Sequence, residues 1–163
     1  MQKNIIITLL FMTLLGWGCS SSSSKSEAGN QESQSENVQK ASDGLTSFQL
    51  KNGIGPITQE VKVGPLDQKL VSKGEDLFEN KCSSCHKIGQ RYVGPDLKEV
   101  TSRRTPTYIM NMMMNPEGMI QKHPVAHKLL EKFATPMANM HVTKDQARAI
   151  VEYFRSVNPN TQK

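Results

Sequence analysis

Cys82-Ser83-Ser84-Cys85-His86 is the stretch on which the reading of this chain turns. C-x-x-C-H is the attachment signature of c-type haem. Two intervening residues let one turn of backbone bring both sulfurs to one edge of a porphyrin, where they can add across its vinyl groups. The imidazole that follows directly is then placed to ligate the iron from the proximal side. C-x-x-C alone also occurs in thioredoxin-like redox sites and in zinc ribbons. The first wants a βαβ context, which this sequence lacks. The second wants a further Cys or Cys/His pair at ligand spacing, and no cysteine lies downstream of Cys85.

The third cysteine, Cys19, has a different setting. Lys3, an apolar run from Ile5 to Leu15, and Gly16-Trp17-Gly18 precede it. The run falls short of the about 20 residues that span a bilayer and reads as a signal-peptide core, residues 1–18. A cysteine directly after such a core resembles a bacterial lipobox, although Gly16 stands where leucine is usual. The expectation is a lipid-anchored N-terminus at Cys19 on the periplasmic side of a bacterial membrane. Ordinary secretion with a free thiol is the other reading.

Residues 19–49 are rich in Ser, Gln, Glu and Asn, with scarcely an apolar residue before Val38. Such a composition buries too little surface to offset its ordering entropy, so a disordered tether is expected, with a reach of roughly 30 Å. Residues 50–65 carry Gly53, Gly55, Pro56, Gly64 and Pro65 with alternating Ile57, Val61 and Val63, and read as an extended arm lying on the domain. Residues 66–163 suffice for one small domain. The net charge of +5 is moderate and its lysines are dispersed, which gives nucleic-acid binding little support.

Helix punctuation divides that domain. Asp67 can cap a helix carrying Leu70, Val71, Leu77 and Phe78, with Gly74 inside it, where glycine usually marks a close backbone approach. Thr105-Pro106 reads as N-cap and first turn of a helix through Met114, stopped by Asn115-Pro116. Pro124 opens a helix with Val125, Leu129, Leu130 and Phe133 on one side. Thr143 to Gln146 is a capping box that starts a terminal helix with Ala147, Ile150, Val151, Phe154 and Val157 at helical spacing. About four short helices and no convincing strand predict an all-α domain.

In order, the helix with Gly74 and Phe78, the haem motif, Gly94-Pro95, a late methionine and a last helix carrying Tyr153 resemble a class I monohaem cytochrome c. The resemblance implies crossed first and last helices, with Gly74 meeting Tyr153. It also implies a Pro95 carbonyl that accepts a hydrogen bond from His86 and so orients the imidazole. The register implies Met137, after Pro136 in a loop, as the sixth iron ligand. Met140, a histidine (His123, His127 or His141) and an open site remain alternatives.

The implied cofactor is one covalent haem c, held by Cys82 and Cys85 and ligated by His86 and Met137. The implied activity is one-electron transfer rather than catalysis, by a monomer serving redox proteins. These would be a membrane quinol-oxidising complex and a periplasmic terminal reductase or oxidase. The wording around Arg103-Arg104-Thr105-Pro106 and Tyr108-Ile109-Met110-Asn111 also resembles small cytochromes that accompany nitrous-oxide reductase.

Other readings stay open. One is a haem sensor or small haem enzyme with an open distal site. Another is a copper-handling protein, because thioethers bind cuprous ion and Met110 and Met113 stand three apart, close to Met112, Met114 and Met119. Against copper, methionine fills irregular apolar gaps, so Tyr108, Ile109, Met112 and Met113 are expected to pack on the haem. Arg103 and Arg104 are read as solvated or paired with the haem's propionates.

Overall fold

The computed structural model describes residues 44–160; the signal segment, Cys19 and most of the tether lie outside the described residues. The described chain is all-helical, with no strand. In chain order it forms α1 (Ser47–Asn52), α2 (Gln68–Lys81), α3 (Val100–Arg103), α4 (Pro106–Met114), α5 (Pro116–Lys122), α6 (Pro124–Phe133) and α7 (Lys144–Val157). None of these helices is long and apolar enough to cross a membrane.

The four helices expected from punctuation are α2, α4, α6 and α7, and their caps form as the side chains dictate. Asp67 Oδ1 accepts from the Lys69 and Leu70 N–H groups at 2.9 and 3.3 Å. Thr105 Oγ1 accepts from Tyr108 N–H at 3.0 Å, and Thr143 and Gln146 close a reciprocal capping box. Each such cap satisfies a donor that the helix leaves orphaned and contributes about 1 kcal/mol.

Three further helices are short. Pro116 does more than stop α4: it is also the first residue of α5, because a fixed φ and a missing N–H suit the first turn of a helix. Single-turn α3 has no side-chain cap. Helix α1 begins inside the stretch read as tether and runs into the stretch read as arm, nucleated by a capping box between Thr46 and Gln49. After it, residues 53–65 are irregular but lie on the domain, with Ile57 buried.

Helices α2 and α7 cross in direct contact. Their closest approach is at Gly74, where an added Cβ would strike the Ala149 carbonyl oxygen and come within 2.9 Å of Tyr153 Cβ. One turn on, Phe78 packs against Tyr153 and edge-on against Phe154, at 5.4 and 5.8 Å between centroids. Gly74 is therefore required by backbone proximity. Gly74→Ala should destabilise the haem-loaded protein by about 1–3 kcal/mol as overpacking, even though alanine is the better helix former by about 1 kcal/mol. Chemical denaturation checks this, and a variant at least as stable as the parent would contradict the crossing geometry.

The two ends of this crossing are tied by a buried carboxylate. Glu152 on α7 is fully buried. Its Oε1 accepts from the Asp67 backbone N–H at 3.1 Å and from Arg155 at 2.7 Å, and Oε2 accepts from Arg148. Arg155 also donates to the Gly64 carbonyl at 2.8 Å. The core beneath consists of Phe78, Ile109, Met110, Met113, Ile150, Val151 and Phe154.

Candidate functional site

The end of α2 delivers the Cys-x-x-Cys-His turn. Cys82 caps the helix, its N–H reaching the Phe78 carbonyl at 2.8 Å. Its own carbonyl then accepts from both Cys85 N–H (3.1 Å) and His86 N–H (2.9 Å). This tight turn sets both sulfurs and the imidazole along the rim of one cavity of about 400 Å³.

The Cys82 thiol lacks the activation of a nucleophilic redox cysteine. Burial pushes the Cys82 thiol up to about 11, with nearby Lys81 opposing, whereas a reactive redox cysteine needs a depressed value. A zinc ribbon is equally unsupported. Among the described residues no group of three or more His, Cys, Asp or Glu could hold a metal ion.

His86 is held in one tautomer. Its Nδ1 lies 3.2 Å from the Pro95 carbonyl oxygen, which can only accept, so Nδ1 carries the proton and Nε2 keeps a free lone pair. Burial pushes this imidazole below its ordinary range, the Pro95 contact opposing. Gly94 makes the approach possible: a Cβ there would run into the imidazole ring, 2.7 Å from Nδ1. The loop closes through Gly94 N–H, which donates to the Cys85 carbonyl at 2.8 Å.

The remaining walls are largely apolar. Helix α4 contributes Tyr108, Ile109, Met112 and Met113, as expected for residues packing on a haem, and α6 contributes Leu129, Leu130 and Phe133. The loop between α6 and α7 brings in Pro136, half-buried Met137 and exposed Met140. His123, His127 and His141 are not among the lining residues. His123 is instead fully buried and caps α6, its Nδ1 accepting from Val125 N–H at 3.2 Å. Exposed His127 lies 3.5 Å from Glu131, and His141 sits on a left-handed backbone with φ of 50°. Met110 and Met113 both belong to the apolar core.

Two polar features mark one side of the cavity. Arg103 and Arg104 both line it. Arg103 donates to the Asp96 carbonyl at 2.8 Å, and the Arg104 guanidinium lies 5.2 Å from the centroid of the Tyr108 ring. The Tyr108 hydroxyl is buried without a hydrogen-bond partner among the described residues. Burial raises its pKa, against the neighbouring Arg104 charge, so it is a protonated donor. An orphaned donor beside an arginine, on a wall otherwise apolar, fits a ligand that is apolar over most of its surface and carries carboxylates. A porphyrin with propionates is such a ligand. The imidazole cradle at Gly94 and the paired thiols fit the same group.

Sequence reasoning did not find the contributions of Leu97, Val100 and Phe154 to the lining. Leu97 and Val100, from one stretch at the start of α3, and Phe154, from α7, carry no local signal for this site. Nor did it find the orphaned Tyr108 hydroxyl, which depends on burial.

A protein-family model for cytochrome c matches residues 71–158. The chain belongs to the cytochrome c family. Among solved structures it is similar to cytochrome c from Rhodothermus marinus, with 47% identity over 69% of this chain and 97% of that one, at a TM-score of 0.65. An engineered form of that Rhodothermus marinus protein matches at 43% identity, 71% and 97% coverage, and a TM-score of 0.64. An engineered form bound to a carbene intermediate matches at 44% identity, with the same coverages and a TM-score of 0.62. No curated protein matches. The cytochrome c domain implies covalent haem c, and members of the family are typically electron carriers rather than enzymes.

Proposed function

We propose that the protein is a one-electron carrier in which Cys82 and Cys85 hold haem c while His86 and Met137 ligate its iron. Bound haem c supplies an iron centre that gains or loses a single electron. The reading rests on one observation above all: the tautomer-fixed His86 and the half-buried Met137 thioether line the same cavity, beside both cysteines. A neutral imidazole with Nδ1 engaged is the form that donates from Nε2, and the Pro95 contact increases its donor strength. The Met137 thioether, as a ligand, would favour reduced iron and raise the potential. Arg103, Arg104 and Tyr108 would receive the haem propionates.

Met137→Ala should remove the weak thioether-to-iron absorption near the red end of the spectrum. It should also leave the iron open to added ligand and lower its potential. Met140→Ala should do none of these. Exchanged behaviour of the two variants would make Met140 the ligand, and a parent without that absorption would favour the sensor or enzyme reading.

The carrier is further proposed to be a periplasmic lipoprotein, monomeric and anchored through Cys19. It would work between a membrane quinol-oxidising complex and a terminal reductase or oxidase, nitrous-oxide reductase being the candidate that the wording of residues 103–111 suggests. Cations around the site, half-buried at Lys81 and Lys87 and exposed at Arg91 and Lys132, support a partner of opposite charge. Lys81 lines the cavity, Lys87 lies 5.5 Å from the Tyr92 ring, and Arg91 and Lys132 lie 4.7 and 5.8 Å from the Phe133 ring. Such charges steer encounter more than they hold a complex.

A further inference from the structure

Helix α4 faces two ways. Tyr108, Ile109, Met112 and Met113 line the cavity. Thr107 and Asn111 of α4 and its C-cap Asn115, spaced four apart, hold the backbone of segment 52–61, the last residue of α1 and the irregular stretch after it. The Asn111 amide is fully buried. Its Nδ2 donates to the Asn52 and Ile57 carbonyls, both at 3.0 Å, and its Oδ1 accepts from Ile57 N–H at 3.0 Å. Thr107 Oγ1 accepts from Val61 N–H at 2.8 Å, and Asn115 donates to the Ile54 carbonyl at 2.9 Å. Buried Asn52 returns the contact by accepting from the Thr105 hydroxyl at 2.8 Å.

A strap held only by apolar contact would tolerate small shifts. This one does not, because a buried amide that slips leaves donors and acceptors unpaired. Three bonds from one side chain therefore fix both the rotation and the axial position of α4. Met112 and Met113 are the next two residues of that helix and line the cavity, so their depth in it is fixed from the outside. Close-packed interiors transmit such displacements rather than absorbing them.

We propose that Asn111 is a positioning residue for electron transfer: clamped to the 52–61 strap, it sets how firmly α4 closes the haem cavity and thereby keeps the methionine side of the iron shut to other ligands. This rests on the His/Met reading above. The test uses haem-loaded, full-length protein and three variants that do not line the cavity: Asn111→Ala; Gly55→Ala, whose Cβ would collide with the Asn111 amide; and Asn115→Ala, which releases only Ile54. Imidazole titration of the ferric protein, the thioether absorption and the midpoint potential are read together, with proteolysis inside 52–61 reporting release of the strap.

Asn111→Ala and Gly55→Ala should keep the thioether band but bind imidazole about tenfold more tightly, a common size for coupling between sites. Asn115→Ala should shift less, in the same direction. Strap release with affinity and potential unchanged to within about twofold, the usual margin for independent sites, would overturn the proposal. So would failure of all three variants to load haem, which would make Asn111 a folding residue only. A parent lacking the thioether band refutes the His/Met reading instead, so the two failures are distinguishable.

Discussion

The Cys82→Ala, Cys85→Ala double variant is expected to carry no haem through denaturing electrophoresis and to lose the native fold. Either single variant should retain some haem through one thioether, with poor maturation. The reason lies in the volume. The cavity beside the Cys82–His86 turn is about 400 Å³ in a domain of modest size. At about 24 cal/mol per Å³, leaving it unfilled would cost up to about 10 kcal/mol, an upper bound because part of the rim opens to solvent. Whole domains are stable by only about 5–15 kcal/mol. A chain unable to retain its haem must therefore collapse or unfold, with Leu129, Leu130 and Phe133 losing their partner first. Loss of near-ultraviolet circular dichroism together with rapid proteolysis would register this. Haem that stays with the double variant under denaturing conditions would refute covalent attachment at these cysteines.

The second large effect is expected at Glu152. Glu152→Ala removes a fully buried carboxylate and leaves Arg148, Arg155 and the Asp67 N–H without their shared acceptor. Breaking one side of a buried ion pair costs about 3–5 kcal/mol, here at the point where the start of α2 is fastened to α7. The same group should make stability depend on pH. Burial alone would raise the Glu152 carboxyl, but Arg148, the Asp67 N–H and Arg155 together hold it below the usual carboxylate range. With the folded value below the unfolded one of about 4.3, the stabilisation is fully present above the unfolded value. It is lost as pH falls through the folded value. Thermal unfolding of parent and Glu152→Gln should therefore differ most near neutrality and converge in acid. A gap independent of pH would show that the charge contributes nothing.

Much of this was legible from residues whose chemistry is local. Asp67, Thr105 and Thr143 cap the nearest N–H groups, so composition and position suffice to find them. The haem motif is equally local. Gly74 was legible for another reason: a costly residue in mid-helix implies a neighbour that cannot tolerate a side chain, and the Ala149 backbone is that neighbour.

What escaped was either a local signal outweighed by its surroundings or a partner distant in sequence. Pro116 was read only as a stop, whereas it also begins α5. Thr46 to Gln49 carried the same capping signature as Thr143 to Gln146, but at the end of a polar tract that argued for a tether. Thr107, Asn111 and Asn115 were polar residues four apart on an otherwise apolar helix. Their meaning depends on residues 52–61, which no local pattern connects to them.

That strap also decides where mechanical load goes. Force arriving from the N-terminal side of the domain enters at α1. There the Leu50 carbonyl is held by His123 Nε2 at 3.1 Å, and the Ile54 N–H meets the Met119 sulfur at 3.0 Å. It then reaches the paired bonds between Ile57 and Asn111. These contacts follow one another along the strap, so the Leu50 and Ile54 contacts take the tug before the Ile57–Asn111 pair does. They end on α4, α5 and the residue that opens α6. The Cys82–His86 turn lies further along the chain than the 50–57 ends of these contacts, beyond α2. A domain drawn about by its leading end is thus gripped first through the helices α4 to α6 that wall its cavity, before the pull can reach the Cys82–His86 turn.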